Sequence, residues 1–280
     1  MKDDFADLAV LDAYKWWIVS DFGFLQLTGV LDEHGNDGLE IGRFDKDAMR
    51  RIARAYTVSR NIPSHEGDAQ ASTLAALLSG ADLAPALRLP FAERAVALTE
   101  FVNANPVKLA SKDESQPIEK KIASAITKLT WFLQPDDWTI FDKYVGVAVL
   151  RREGTGSKQM LSYYAELAGE WRKISAGLCE ACAVHGFNRR LGYRIVDKFL
   201  FLHGIGMYVP GTRKNGEPRD VLDKKSRLAD RFASASVAPI RDSLHSFASA
   251  LPTDLNARLN QLGRDAASVL AAANWIKDPA

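Results

Sequence analysis

Apolar residues recur at helical spacing along most of this 280-residue chain. The clearest run lies near the middle, where steps of four, four, three and four residues join Ile118, Ile122, Ile126, Leu129 and Leu133. That spacing places the five side chains on one face of an α-helix. The strict alternation of apolar and polar residues that indicates a half-buried strand is scarce. The sequence therefore predicts an all-α protein.

Proline and glycine give the predicted limits of the central elements. We expect one helix over residues 118 to 134, ended by Pro135, and a second over residues 143 to 152. The polar segment that precedes them, NPVKLASKDESQP, is predicted to be a linker. Residues 209 to 220, VPGTRKNGEPRD, are predicted to be a basic loop because proline and glycine interrupt regular structure there.

Charge is distributed unevenly over a chain whose formal net charge is only +1. Residues 106 to 227 carry 21 Lys and Arg against 14 Asp and Glu, whereas residues 1 to 105 carry 10 against 16. We therefore expect a single helical domain over residues 1–280. Within it, residues 1–105 and 224–280 would form an acidic to neutral lobe, and residues 106–223 a basic lobe that receives any polyanionic partner.

Composition is that of an ordinary globular protein, with 47% hydrophobic and 25% charged residues. No apolar run approaches the roughly 18 residues of a membrane span, so we expect no membrane association. Cys179 and Cys182 are too few for a disulfide framework, which favours a cytoplasmic location.

Lys128 and Asp142 are the two charged residues of the central segment that most need an explanation. At about 100° per residue, Lys128 lies about 120° from the middle of the apolar stripe, so its stem can follow apolar surface while its amine reaches outwards. Asp142 directly precedes the second helix, where an N-cap is expected. Two interpretations stand: a boundary lysine and an ordinary cap, or two parts of one active site.

The segment KLTWFLQP, residues 128 to 135, followed by WTIFD, residues 138 to 142, resembles the catalytic segment of helix-hairpin-helix DNA glycosylases. It is most similar to the divergent 8-oxoguanine-DNA-glycosylase-like branch found in bacteria. The segment YRIVDKFLFLHG, residues 193 to 204, also resembles that branch, so the similarity covers residues 120 to 204. The resemblance implies two helical lobes around a central catalytic cleft, DNA as the partner, and no cofactor.

In that superfamily a lysine attacks the sugar carbon and an aspartate stabilises the developing positive charge, and the matching positions are Lys128 and Asp142. The chemistry suits these residue types, because a carboxylate at a helix N-terminus is favoured as the anion and a partly desolvated lysine can act as a nucleophile. The Schiff base that results would permit strand cleavage, which is AP-lyase activity.

A base that leaves the duplex also needs a pocket, usually with an aromatic face. Aromatic residues cluster around the central segment, and they are either that pocket or part of the core: Trp131, Trp138, Phe141 and Tyr144. The predicted contacts to DNA phosphates are the basic residues of the central and following segments: Lys121, Lys143, Arg151, Arg152, Arg213, Lys214 and Arg219.

The other patterns in the sequence are weaker indications of a functional site. Cys179, Cys182 and His185 have the spacing C-x2-C-x2-H, but three ligands within one helix do not predict a metal site. Arg194 and Asp197 are predicted to be a structural pair one helical turn apart. The prediction is therefore a monomeric DNA glycosylase, and the alternative is a non-catalytic helical module that binds nucleic acid or a protein partner.

Overall fold

The helical class is confirmed by a computed structural model, which describes residues 2–58, 67–109, 118–120, 122–212 and 217–276. The described residues are mostly helical, with four short strands that form two separate antiparallel hairpins. None of the described helices combines the length and the apolar character that crossing a bilayer requires.

The helices and strands are numbered in chain order. The first half contains α1 (Lys2–Trp16), a π-helical turn (Trp17–Asp21), α2 (Phe22–Leu27), α3 (Lys46–Ala55), α4 (Gly67–Leu78), α5 (Ala84–Leu87), α6 (Phe91–Ala104), β1 (Val107–Leu109), β2 (Ile118–Lys120) and α7 (Ala123–Trp131). The second half contains α8 (Lys143–Leu150), α9 (Ser157–Val184), α10 (Leu191–Ile205), β3 (Tyr208–Thr212), β4 (Pro218–Leu222), α11 (Leu228–Arg231), α12 (Ala238–Ser249) and α13 (Thr253–Ala271).

The chain divides into two compact units whose limits differ from the predicted lobes. Unit 1 consists of Met1–Trp16, Asp142–Gly154 and Glu166–Ala280, and unit 2 consists of Trp17–Phe141 and Thr155–Ala165. The predicted lobes followed net charge, whereas the units follow packing, and surface charge does not determine which helices share a core.

In unit 1, α1 packs against α10, α12 and α13, and α10 also packs against α8. Phe5, Leu8 and Val10 of α1 are buried. The prediction that the N-terminal helices pack against the C-terminal ones therefore holds for α1.

In unit 2, α7 packs against α3 and α6. The turn after α7 is held by hydrogen bonds from other segments of the same unit. The Thr28 hydroxyl donates to the carbonyl of Phe132 at 2.8 Å, and the Gly42 N–H donates to the carbonyl of Leu133 at 2.7 Å. The Arg94 guanidinium donates to the carbonyl of Asp136 at 3.1 Å. Because the chain leaves the helix before Pro135, these three carbonyl groups have no helical partner, and the bonds from other segments satisfy them.

Two predictions about the central elements were wrong in extent. The helix expected over residues 118 to 134 is only Ala123–Trp131, because Ile118–Lys120 pairs with Val107–Leu109 as an antiparallel strand. Three residues are too few for their spacing to separate a strand from a helix. The second helix ends at Leu150, where Arg151 adopts a left-handed conformation (φ 52°) as its C-cap.

The predicted basic loop over residues 209 to 220 was also wrong in its described part. Tyr208–Thr212 and Pro218–Leu222 form a hairpin, in which Tyr208 lies opposite Leu222 and Gly211 opposite Arg219. Proline is tolerated here because both strands of a two-stranded hairpin are edge strands.

Candidate active site

Asp142 begins α8 in unit 1, as the sequence predicts. Its backbone is extended (φ −146°, ψ −174°), and its Oδ1 accepts hydrogen bonds from the N–H groups of Tyr144 at 2.8 Å and Val145 at 3.2 Å. These amides have no helical partner, since they belong to the first turn. The N-cap prediction is confirmed, and the half-buried carboxylate is held by the positive end of α8.

The first turn of α8 packs directly against α10. A methyl group added at Gly204 would come within 2.0 Å of the carbonyl oxygen of Tyr144. The backbone of α8 therefore lies directly on Gly204, closer than any residue with a side chain would permit. This contact sets the position of the Asp142 cap within unit 1.

Lys128 lies on α7 in unit 2 and is half-buried between buried neighbours in the sequence, Thr127 and Leu129. The Thr127 hydroxyl accepts a hydrogen bond from the N–H of Phe141 at 3.2 Å and lies 3.0 Å from the carbonyl oxygen of Phe141. Thr127 thereby joins α7 to Phe141, the last residue of the first segment of unit 2.

The two proposed catalytic residues belong to different units, Lys128 to unit 2 and Asp142 to unit 1. Their interpretation as one active site stays a prediction.

Three of the four predicted pocket residues lie in the core of unit 2. Trp131, Trp138 and Phe141 are 0% exposed. The Trp138 ring stacks on Tyr164 with centroids 4.3 Å apart, and the Arg94 guanidinium lies 5.2 Å from its centroid. No face of these rings is open to an extruded base, so they play the alternative role that the sequence left open, that of core residues.

Tyr144, the fourth of these residues, is half-buried in unit 1. Its ring meets Phe201 and Tyr208 edge to face, with centroids 5.4 Å and 5.5 Å away. Two aromatic neighbours restrict its rotamer, and part of the residue remains accessible.

The predicted DNA contacts have different surroundings. Arg152 and Arg219 are exposed, and Lys143 pairs with Glu153, with 3.2 Å between Nζ and Oε1. Arg151 instead donates to the carbonyls of Lys224 and Ser226, which fastens the end of α8 to the segment after β4. The remaining three lie outside the described residues: Lys121, Arg213 and Lys214.

Glu153 and Tyr208 were missed by sequence reasoning, although they contact a predicted site residue. The buried Tyr208 hydroxyl donates to Glu153 Oε1 at 2.9 Å, and the Lys143 amine lies 4.4 Å from the Tyr208 ring centroid. The Tyr208 hydrogen bond, followed by Lys143 and Arg219, holds the pKa of Glu153 below its usual value. Burial, followed by Glu153, raises the pKa of Tyr208, so its hydroxyl remains a donor. No local pattern joins residues 55 positions apart.

The segment at residues 193 to 204 lies in α10 and contains a buried group of charges. Arg194 donates to Asp197 one turn later, which confirms the predicted structural pair. Lys198 Nζ lies 3.1 Å from Asp12 Oδ2 of α1 and 4.4 Å from the Trp16 ring centroid. Burial lowers the pKa of Lys198, and the Asp12 carboxylate opposes that shift. The contacts of Lys198 join α10 to α1.

Cys179 and Cys182 are buried, reduced side chains on α9. Burial raises the pKa of the Cys182 thiol, and His185 Nε2 lies 2.7 Å from Asp265 Oδ2. Nowhere in the described ranges do three or more His, Cys, Asp or Glu side chains gather as a metal site requires.

Comparisons of the chain with models of protein families, with curated proteins and with solved structures give no match. The functional assignment therefore depends on the local geometry and on the motif at residues 128 to 142.

Proposed function

We propose that this chain is a DNA glycosylase with AP-lyase activity that removes an oxidised or otherwise modified base. Lys128 would attack the C1′ carbon of the sugar, the N-glycosidic bond would break, and the base would leave. Asp142 would stabilise the positive charge that develops on the sugar in the transition state. Both residues must reach the same sugar for this reaction.

The observation that carries the proposal is the environment of Asp142. A carboxylate that accepts two backbone N–H bonds at a helix N-terminus is fixed in direction, so it needs no reorganisation when positive charge develops. The packing of the Tyr144 carbonyl on Gly204 makes the same turn of α8 rigid. An N-cap with no catalytic role would accept the same two hydrogen bonds, so a measurement of base release must distinguish the two roles.

The surroundings of Lys128 support the proposed nucleophile. Lys128 is half-buried between the buried residues Thr127 and Leu129, so its stem can follow the protein surface while its amine remains within reach of a ligand. The Thr127–Phe141 hydrogen bonds hold α7 to the residue that precedes Asp142 in the chain. The proposal assigns the aromatic face for the extruded base to Tyr144, because the other three rings are enclosed.

Base release from duplexes with a panel of oxidised, deaminated and alkylated bases tests the proposal. Asp142→Asn should slow single-turnover release from the preferred duplex by about 10²- to 10³-fold, the usual effect of removing one electrostatic group. Folding should be preserved, because asparagine caps helices as well as aspartate does. Full activity of Asp142→Asn, or no release from any duplex by the unmodified protein, would refute the assignment.

The chain offers a matched control for this variant. Asp45 caps α3 in the same manner, with its Oδ1 accepting the N–H of Ala48 at 2.6 Å. Asp45→Asn makes the same chemical change at another cap and should leave base release unchanged. An equal loss in both variants would mean that Asp142 acts only through folding.

The burial of Trp131, Trp138 and Phe141 favours a second candidate, a non-catalytic helical module that binds nucleic acid or a protein partner. A module of this kind would bind without releasing a base. In that case Lys128→Gln and Asp142→Asn would leave its affinity unchanged.

A further inference from the structure

Two donors of unit 1 contact the Glu153 carboxylate, and a third lies near it. The Lys143 amine is 3.2 Å from Oε1, and the Tyr208 hydroxyl donates to the same oxygen at 2.9 Å. Arg219, on β4 of the hairpin, is close enough to act electrostatically on Glu153. Lys143 is the first residue of α8, Tyr208 the first residue of β3, and Arg219 the second residue of β4, which pairs with β3.

This set of donors is suited to an oxyanion. An ammonium, a guanidinium and a neutral hydroxyl are the groups that bind phosphate oxygens in proteins. Burial and the carboxylate keep the Tyr208 hydroxyl protonated, so it can donate to whichever anion is present. In the structure that anion is a carboxylate of the chain itself.

The Lys143–Glu153 pair is also accessible. The Lys143 side chain is 40% exposed and that of Glu153 is 49% exposed. An ion pair with this exposure adds little to stability, because water screens it and two long side chains must be ordered. An external anion can therefore replace the carboxylate at small cost, while the buried Tyr208 ring keeps its place.

We propose that Lys143 and Tyr208, with the charge of Arg219 nearby, form a binding site for one phosphate of a nucleic-acid backbone, and that Glu153 occupies this site in the free protein. The identification of the phosphate as one of DNA rests on the proposed function. Glu153 is then a competitor of the ligand, and its removal strengthens binding.

Affinity of the full chain for an unmodified duplex, measured by fluorescence anisotropy at fixed salt, tests the site. Glu153→Gln should tighten binding about two- to fivefold, the range that a surface ion pair permits. The control is Glu180→Gln, which changes net charge equally at an exposed carboxylate paired with Arg189 in the same unit. Glu180→Gln should have less than half the effect.

The double variant Glu153→Gln/Lys143→Gln should lose the gain, because the freed site then lacks its ammonium. Equal effects of Glu153→Gln and Glu180→Gln would overturn the proposal, as they would show only a change in net charge. A double variant that keeps the full gain would overturn it as well.

Inorganic pyrophosphate separates this inference from the proposed function. Its titration into the Glu153→Gln protein should shift the amide resonances of Lys143 and Tyr208, and should do so at lower concentration than in the unmodified protein. If pyrophosphate follows this pattern and no duplex binds, the phosphate site stands and the glycosylase proposal fails. If a duplex binds and loses a base while Glu153→Gln behaves as Glu180→Gln does, the inference fails alone.

Discussion

Glu153 is the residue whose ionisation reports most directly on the contacts beside α8. Its pKa in the folded chain is depressed, so the stability that its charge adds is present above the usual Glu pKa of 4.5 and is lost as the pH falls through the lowered value. The largest cause is the hydrogen bond from Tyr208, and the Lys143 amine lowers the pKa further through its hydrogen bond and its charge. We therefore expect Tyr208→Phe and Lys143→Gln each to raise the pKa of Glu153.

An NMR pH titration of the Glu153 carboxyl carbon in the three proteins makes this comparison. An unchanged pKa of Glu153 in either variant would contradict the contact that the variant removes. The Glu180 resonance serves as the internal reference, because its exposed pair with Arg189 is untouched by either variant.

Lys198 of α10 and Asp12 of α1 form a buried ion pair, and each charge should depend on the other for its stabilisation. Removing one partner leaves the other charge buried, which costs about 3–5 kcal/mol in comparable pairs. We expect Lys198→Met and Asp12→Asn each to lower the free energy of unfolding by an amount of this order. The double variant should lose less than the sum, and urea denaturation of all four proteins gives the coupling. Additive losses would show that the pair is not a unit.

At the scale of elements, the contact between α8 and α10 is the one on which the Asp142 cap depends. Gly204→Ala would bring a methyl group within 2.0 Å of the Tyr144 carbonyl, so the two helices must separate. We expect a loss of about 1–3 kcal/mol in unfolding free energy, the usual cost of overpacking.

Gly169→Ala is the matched control on α9, because a methyl group there has no atom within 4 Å. Alanine is the better helix former, so this variant should be neutral or up to about 1 kcal/mol more stable. Equal free energies of unfolding for the two variants in urea denaturation would contradict the close packing of α8 on α10.

Much of the element order follows from local sequence signals. Asp45 and Asp142 identify two helix starts by capping, and Pro90 precedes α6 as expected. The two hairpins could not be predicted in this way. β1 and β2 have three residues each, and β3 and β4 contain the prolines and glycine that usually indicate a loop.

At the scale of the whole molecule, the sequence predicts the helical class, whereas the limits of the two compact units could not be read from it. The first boundary between the two units lies between Trp16 and Trp17, where the sequence has no proline, glycine or change of composition. This boundary depends on which helices share a core. The same limit applies to the candidate site. Spacing identifies Asp142 as a cap, but the enclosure of Trp138 by Tyr164 and Arg94, and the meeting of Glu153 with Tyr208, depend on tertiary contacts.

Covalent trapping with borohydride tests the central claim, the attack of Lys128 on the sugar, most directly. A Schiff base between the Lys128 amine and C1′ would be reduced to a stable secondary amine, and mass spectrometry of the digested adduct would identify the lysine. We predict an adduct on the peptide that contains Lys128, its loss in Lys128→Gln, and its retention in Lys173→Gln, which changes an exposed lysine of α9. An adduct on another residue, or one that persists undiminished in Lys128→Gln, would contradict the claim.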